Sequence, residues 1–219
     1  MQKNEIIEIL PLNPHSKGYR IVFEKEDGVC LLGSKQKKRF EDLCNKVQND
    51  PQKHLGELES FCREHAEISE AANLLAFAYL RLKKKPEAEK LIEKTYHDHP
   101  EYLIGKINYA DQALRLGKKE LIPHIFGNCF DLNALYPDRE HFHFSEFRGF
   151  MTLMGFYHLE IGEKEKAEEY YQLAFQVDPL HPSVAALERK ISKVSFGYIL
   201  LLKKIVRTLQ KLARISKNS

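Results

Sequence analysis

Two stretches of the chain repeat each other. "SEAANLLAFAYLRLKKKPEAEKLIEKTYHDHP" ends at Pro100, and "FRGFMTLMGFYHLEIGEKEKAEEYYQLAFQVDP" ends at Pro179. Counted back from each proline, Ala88 and Ala167 lie 12 positions before it, and Ala76 and Gly155 lie 24 before it. An internal period constrains the fold more than any single motif. A unit this short cannot bury its own apolar face and has to stack on a neighbour. Each copy reads as two helices. In 147–161 the residues Phe147, Phe150, Met151, Met154 and Ile161 fall on one helical face, and in 163–177 Ala167, Tyr170, Tyr171, Ala174 and Val177 do the same. Gly162 stands where the first helix should stop, because glycine reaches the left-handed conformation cheaply. The small residues let two helices of a hairpin approach closely.

This pattern resembles the tetratricopeptide repeat, a helix-turn-helix unit of 34 residues. In 148–181 the signature positions of that family are filled by Met154, Gly155, Ala167, Tyr171, Ala174 and Pro179, with His158 where a tyrosine is usual. In 69–102 they are filled by Leu75, Ala76, Tyr79, Ala88 and Pro100. The tryptophan common near the start of the unit is replaced by Ala72 and Met151. A middle unit, 103–136, keeps Tyr109, Ala110, Gly117, Phe126 and Cys129, but has Ile122 in place of alanine and no closing proline in register. The insertion 137–147, "PDREHFHFSEF", precedes the third unit. The resemblance covers about half of the chain.

It implies a mainly α-helical repeat array over 69–181, wound as a right-handed α-α superhelix, that binds proteins rather than transforming substrates. Such arrays use the concave surface formed by the first helix of each unit. Carried over by position, that surface here is Asn73, Phe77, Leu80 and Arg81, then Ile104, Ile107, Asn108, Asp111 and Arg115, then Thr152, Phe156 and Leu159. Relatives that grip chaperone C-termini use a Lys/Asn/Asn/Lys/Arg clamp, of which only Asn108 is present. Asn73, Phe77, Gly149 and Leu153 occupy the other places and argue against that ligand. The surface is apolar enough to suit an extended or helical segment with apolar anchors. The competing reading is that the protein's own helices fill it.

The flanks complete the architecture. Within 1–34, "GYRIVFEK" and "GVCLLG" surround Glu26-Asp27-Gly28, a hairpin signal, and "NEIIEIL" offers a third strand. Within 35–68, 36–48 and 52–66 read as a helical pair, with Asp50 as N-cap and Pro51 at the first helical position, covering the open end of the stack as a degenerate repeat. Within 182–219, 183–193 and 196–215 read as C-terminal capping helices. The last is amphipathic: Ile199, Leu202, Ile205, Val206, Leu209, Leu212 and Ala213 oppose Lys203, Lys204, Arg207, Lys211 and Arg214. From Arg189 to Ser219 there are nine Lys/Arg and no Asp/Glu, so of 34 basic residues 25 remain to face all 31 acidic ones in the preceding chain. That tail is either a cap with a wet basic face or a contact with an anionic membrane surface. Nucleic acid is not an expected partner, because no aromatics interleave with the cations.

Chemistry leaves few other marks. Cys30, Cys44, Cys62 and Cys129 form no CxxC pair and read as reduced thiols. No secretion signal is visible at the N-terminus, and the longest apolar run, "FGYILLL", falls short of the ~20 residues of a membrane span. A cytoplasmic protein is expected, membrane-associated if the tail docks. His141 and His143, beside Glu140 and Glu146, offer two metal ligands where three or four are needed, and His97 and His99 occupy a turn, so neither a metal nor a cofactor is expected. No P-loop, nucleophile elbow or dinucleotide fingerprint is present, and no enzymatic activity is expected. The expected role is an adaptor, scaffold or assembly factor. The alternatives are a chaperone of the type III secretion kind, some of which resemble three-repeat arrays, and a peripheral membrane adaptor held by 196–215.

Overall fold

The computed structural model describes residues 6–9, 17–23 and 32–194. It is mainly α-helical, a stack of helical hairpins with a small sheet against one side. The chain runs β1 (Ile6–Ile9), β2 (Tyr19–Val22), α1 (Ser34–Asn49), α2 (Pro51–Glu64), α3 (Ser69–Arg81), α4 (Lys85–Asp98), α5 (Leu103–Arg115), α6 (Leu121–Ile125), α7 (Leu132–Leu135), β3 (Phe142–His143), α8 (Phe144–Glu160) and α9 (Lys164–Val177). A further helix, α10, covers 182–194.

Local chemistry sets these boundaries. Asp50 caps α2 by accepting from the Lys53 amide at 3.1 Å, with Pro51 in the first turn where a missing N–H costs nothing. α5 and α8 are followed by Gly117 and Gly162 at φ +73° and +86°, and α3 by Lys83 at φ +60°. α3 with α4 and α8 with α9 form full antiparallel hairpins. Ala88 and Ala167 are wholly buried in them. Gly155 does a different job from close approach within its own hairpin. A Cβ there would stand 2.4 Å from Cδ2 of Leu187, so the glycine admits α10 against α8.

The middle hairpin is incomplete. α6 is only five residues long, with Pro123 inside it, and the chain then turns left-handed at Gly127 and Asn128, both at φ +59°. A short α6 leaves apolar surface on α8 that its own unit does not cover. The sheet covers it. Ile9, Tyr19, Ile21 and Phe142 share one core with Phe126, Leu132, Phe147 and Phe150, and Tyr19 meets Phe147 edge-on at 5.0 Å. The Tyr19 hydroxyl donates to Asp131 at 2.5 Å, Asp131 also caps α7, and Asn133 donates to the carbonyls of Lys17 and Gly18.

The sheet contains strands that the sequence suggested and one that it did not. β1 is the strand expected in "NEIIEIL", antiparallel to β2 with Ile6 opposite Val22 and Ile9 opposite Tyr19. β2, however, has β3 on its other side, parallel, with Ile21 opposite Phe142 and Val22 opposite His143. Both edges of β2 are therefore taken at Ile21 and Val22. The hairpin partner expected after Asp27-Gly28 lies mostly in 24–31, outside the described residues, as does the amphipathic segment 196–215. Among the described residues the third strand comes from the insertion. A second core, formed by Phe40, Leu43, Leu58, Phe61, Leu75 and their neighbours, unites α1, α2 and α3. Among the described residues no helix is long and apolar enough to cross a membrane.

Candidate functional site

α3, α5 and α8 lie side by side, each separated in sequence by a returning segment. Nδ2 of Asn108 donates to Oδ1 of Asn73 at 2.7 Å, fixing α5 against α3. Gly149 lies against the Ile107 side chain, where a Cβ would sit at 3.6 Å, fixing α8 against α5. Between them opens a cavity of about 550 Å³. Its floor is Asn73, Phe77 and Leu80 from α3 with Ile104, Ile107 and Asn108 from α5, and Asp111 and Arg115 close one end. Phe77 and Leu80 remain 38% and 42% exposed, unusual for large apolar side chains in a well-packed array.

The remaining concave positions are placed differently. Phe156 lines a second hollow of about 250 Å³ that shares Asp111 and Arg115 with the first and adds Leu114, Glu160 and Lys190. Arg81 lines neither hollow; its guanidinium sits 5.6 Å over the Phe77 ring. Thr152 is buried, its hydroxyl donating to the Arg148 carbonyl one turn back, and Leu159 is half-buried outside both hollows. The α8 contribution to the main cavity comes one turn earlier than expected, from Ser145, Glu146, Arg148 and Gly149.

Two other parts of the wall were not visible in the sequence. α1 supplies Phe40, Cys44 and Gln48, and the insertion supplies Arg139, His141 and His143. The insertion forms a pre-set mouth. Arg139 makes a two-pronged contact with Glu146, at 3.3 and 2.7 Å, while lying 4.6 Å over the Phe142 ring. Glu146 also accepts from the His143 amide at 3.1 Å, completing a capping box with the His143 ring at the start of α8. Arg148 is held by Asp178 at 2.6 Å, and Arg115 by Asp111 at 2.9 Å. The three arginines that line the cavity thus arrive already neutralised. With the arginines paired, what the cavity offers a ligand is apolar surface, amide groups and the Glu70 carboxylate. Burial pushes the Tyr102 phenol in the wall far up from its ordinary range, so that it stays a neutral donor.

The thiol of Cys62, pushed up to about 12 by burial and donating to the Ala71 carbonyl, is structural. Among the described residues no three His, Cys, Asp or Glu side chains converge as metal ligands, His141 and His143 included. Lys203, Lys204, Arg207, Lys211 and Arg214 lie outside the described residues.

No family model and no curated protein matches the chain. Among solved structures it is similar to the MamA RS-1 ArsTM double mutant, at 17% identity over 76% of this chain and 98% of that one, with a TM-score of 0.46. It is similar also to MamA 41-end from Desulfovibrio magneticus RS-1, at 16% identity over 76% and 98%, TM-score 0.46, and to a MamA protein at 13% identity over 83% and 96%, TM-score 0.45. Likeness at this level carries no functional residue across, and the repeat architecture rests on the helices, turns and contacts described above.

Proposed function

We propose that this is a non-enzymatic, tetratricopeptide-like interaction module, an adaptor or assembly factor, that holds an apolar segment of a partner protein in the cavity between α3, α5 and the start of α8. The observation that carries this reading is the pair Phe77 and Leu80, exposed on a concave wall beside Ile104 and Ile107. Covering the exposed part of two such side chains contributes about 2 kcal/mol each at ~25 cal/mol per Å². The cavity volume falls in the range that takes a few side chains. A partner meeting only this surface buries less than the ~800 Å² per side of a stable complex, so binding should be transient. The Asn73–Asn108 pair adds direction. With Asn108 donating to Asn73, a donor on Asn73 and an acceptor on Asn108 are still available, the complement of one peptide unit of an extended chain. The neutralised arginines of the wall and mouth support an apolar ligand over a free carboxylate or phosphate.

The test is selection of binders from a random-peptide library on the immobilised full chain, followed by affinity measurements on the variants. Selected peptides should share two apolar anchors. Phe77→Asp should bind them at least tenfold more weakly, because a carboxylate is forced into an apolar wall, with the helical circular-dichroism signal unchanged. Phe156→Asp should show whether the smaller hollow continues the same surface. Unchanged affinity in Phe77→Asp removes this cavity from consideration.

A further inference from the structure

α3 turns one stripe of side chains toward the cavity. Glu70, Asn73, Phe77 and Leu80 recur at helical spacing, and all four line it. Asn73 binds Asn108, and Phe77 and Leu80 are the exposed apolar pair, which leaves Glu70 as the member of the stripe without an assigned role. The helix dipole favours a carboxylate in the first turn of α3, but it acts equally all round that turn and does not set the side on which the carboxylate stands. The Ser69 hydroxyl donates to Oε2 of Glu70 at 3.2 Å, and Oε1 has no hydrogen-bond partner among the described residues.

The other charges of the lining are paired. Asp111 holds Arg115, Glu146 holds Arg139, and Asp178 holds Arg148. Of the Asp, Glu, Lys and Arg side chains that line the cavity, Glu70 alone has no opposite charge within ion-pair distance among the described residues. Tyr102, in the turn before α5, lies in the same field: Glu70 and Glu146 add to burial in holding the proton on its hydroxyl. Glu146 is already committed to Arg139 and to the His143 amide, so the carboxylate left for a ligand at this end of the cavity is Glu70.

We propose that the partner segment held in the cavity is basic as well as apolar, with a lysine or arginine on Glu70 at the end where α3 begins. This rests on the peptide-binding reading above and gives it a direction, the cation at Glu70 and the apolar anchors following toward Leu80. Seven residues of α3 separate Glu70 from Phe77, about 10 Å at ~1.5 Å per residue, which about three residues of an extended chain span. The segment therefore carries its cation about three residues from an apolar anchor, and the peptide unit that the Asn73–Asn108 pair complements lies between them. A cation meets a carboxylate that nothing else neutralises. An acidic segment would have to take Arg139 from Glu146 or Arg148 from Asp178, losing one ion pair for each that it makes. The Glu70 pair forms at the rim of an apolar wall, where water and salt screen it less than on an open surface.

The probes are peptides selected from a random library on the immobilised full chain that bind the wild type and not Phe77→Asp, each paired with a twin whose basic residue is replaced by glutamine. Lysine or arginine should be enriched about three residues from an apolar anchor, and the wild type should bind the basic peptide about fivefold more tightly than its twin. Glu70→Gln should bind the two alike and hold the twin as the wild type does, with Glu70→Ala as a second variant should the amide disturb folding. Glu67→Gln changes a neighbouring carboxylate outside the cavity lining and should keep the preference. Phe77-dependent peptides without basic enrichment, or a preference that survives in Glu70→Gln and Glu70→Ala, overturn the proposal and leave the peptide-binding reading standing. An equal loss of preference in Glu67→Gln assigns it to general acidity and overturns the proposal as well. Absence of any Phe77-dependent binder removes the cavity and both readings with it. Self-association of the chain that Phe77→Asp abolishes gives the cavity to a second copy, with the same consequence.

Discussion

His158 occupies a position where the repeat ordinarily carries tyrosine, and its surroundings explain what the exchange costs. The ring is buried between α8 and α9, stacked on Tyr170 at 5.2 Å, with Nδ1 on the Glu163 carboxylate at 2.8 Å and Nε2 without a hydrogen-bond partner among the described residues. Burial lowers its pKa from the ordinary 6.5, and Glu163 offsets only part of that. A histidine that is harder to protonate folded than unfolded contributes stability that is complete above about pH 6.5 and is lost as pH falls below it, because the unfolded chain takes up the proton first. The melting temperature of the wild type should therefore drop more between pH 7 and pH 5 than that of His158→Phe, which keeps the stack and removes the titrating group. Parallel pH profiles for the two proteins would dismiss the effect. Gly155 gives a second residue-scale prediction. Gly155→Val should lower stability by about 1–3 kcal/mol, since the Cβ position already meets Leu187 and no branched side chain fits between α8 and α10. The double variant Gly155→Val/Leu187→Ala should recover part of the loss in thermal melts.

At the scale of elements, legibility followed the period. α3, α4, α8 and α9 were readable because their small residues, turn residues and closing prolines recur in register, and each such signal acts within one hairpin. α6 was not, because Pro123 and the left-handed Gly127-Asn128 pair end it after five residues and only their combined effect is decisive. β3 was unreadable for a different reason. Two residues carry no alternation, and their pairing with Ile21 and Val22 spans most of the chain. The same holds for the cavity mouth. The repeat resemblance named the α3 and α5 positions, whereas Arg139, His141 and His143 reach the cavity only through how the insertion folds. If the sheet substitutes for the missing length of α6, breaking its anchor should cost more than a surface hydroxyl normally does. Tyr19→Phe removes the hydroxyl that donates to Asp131 and should destabilise by about 1.5–3 kcal/mol, the value of a hydrogen bond to a charged acceptor. A change below a few tenths of that in urea unfolding would show that the strand is held by packing alone.

At the scale of the whole molecule, the cavity straddles a seam. Most of the buried residues fall into two cores, one in α1–α3 and the other spanning the sheet and α5 to α10, and the two meet where α4 packs on α5. Tyr96 and Tyr109 stack there at 4.5 Å and Nε2 of buried Gln112 donates to the Glu89 carbonyl at 3.4 Å, but its Oε1 has no hydrogen-bond partner among the described residues. Stacked arrays derive their stability from units and nearest-neighbour contacts, so a weak seam lets one side open without the other. Amide exchange should accordingly fall into two groups, with α1–α3 opening at lower free energy than α5 and α8. Gln112→Leu, which removes the unsatisfied acceptor at the cost of the long Nε2 bond to the Glu89 carbonyl, should raise protection on the α1–α3 side by a few-fold, corresponding to under about 1.4 kcal/mol. A segment bound against Phe40, Phe77 and Leu80 on one side and Ile104 and Ile107 on the other bridges both cores. Its binding free energy then opposes opening of the seam, and a peptide selected on the cavity should slow exchange in α1–α3 as far as it slows it around Ile107. Protection confined to one side would mean that the ligand touches a single core, and the cavity would have to be redrawn on that side alone.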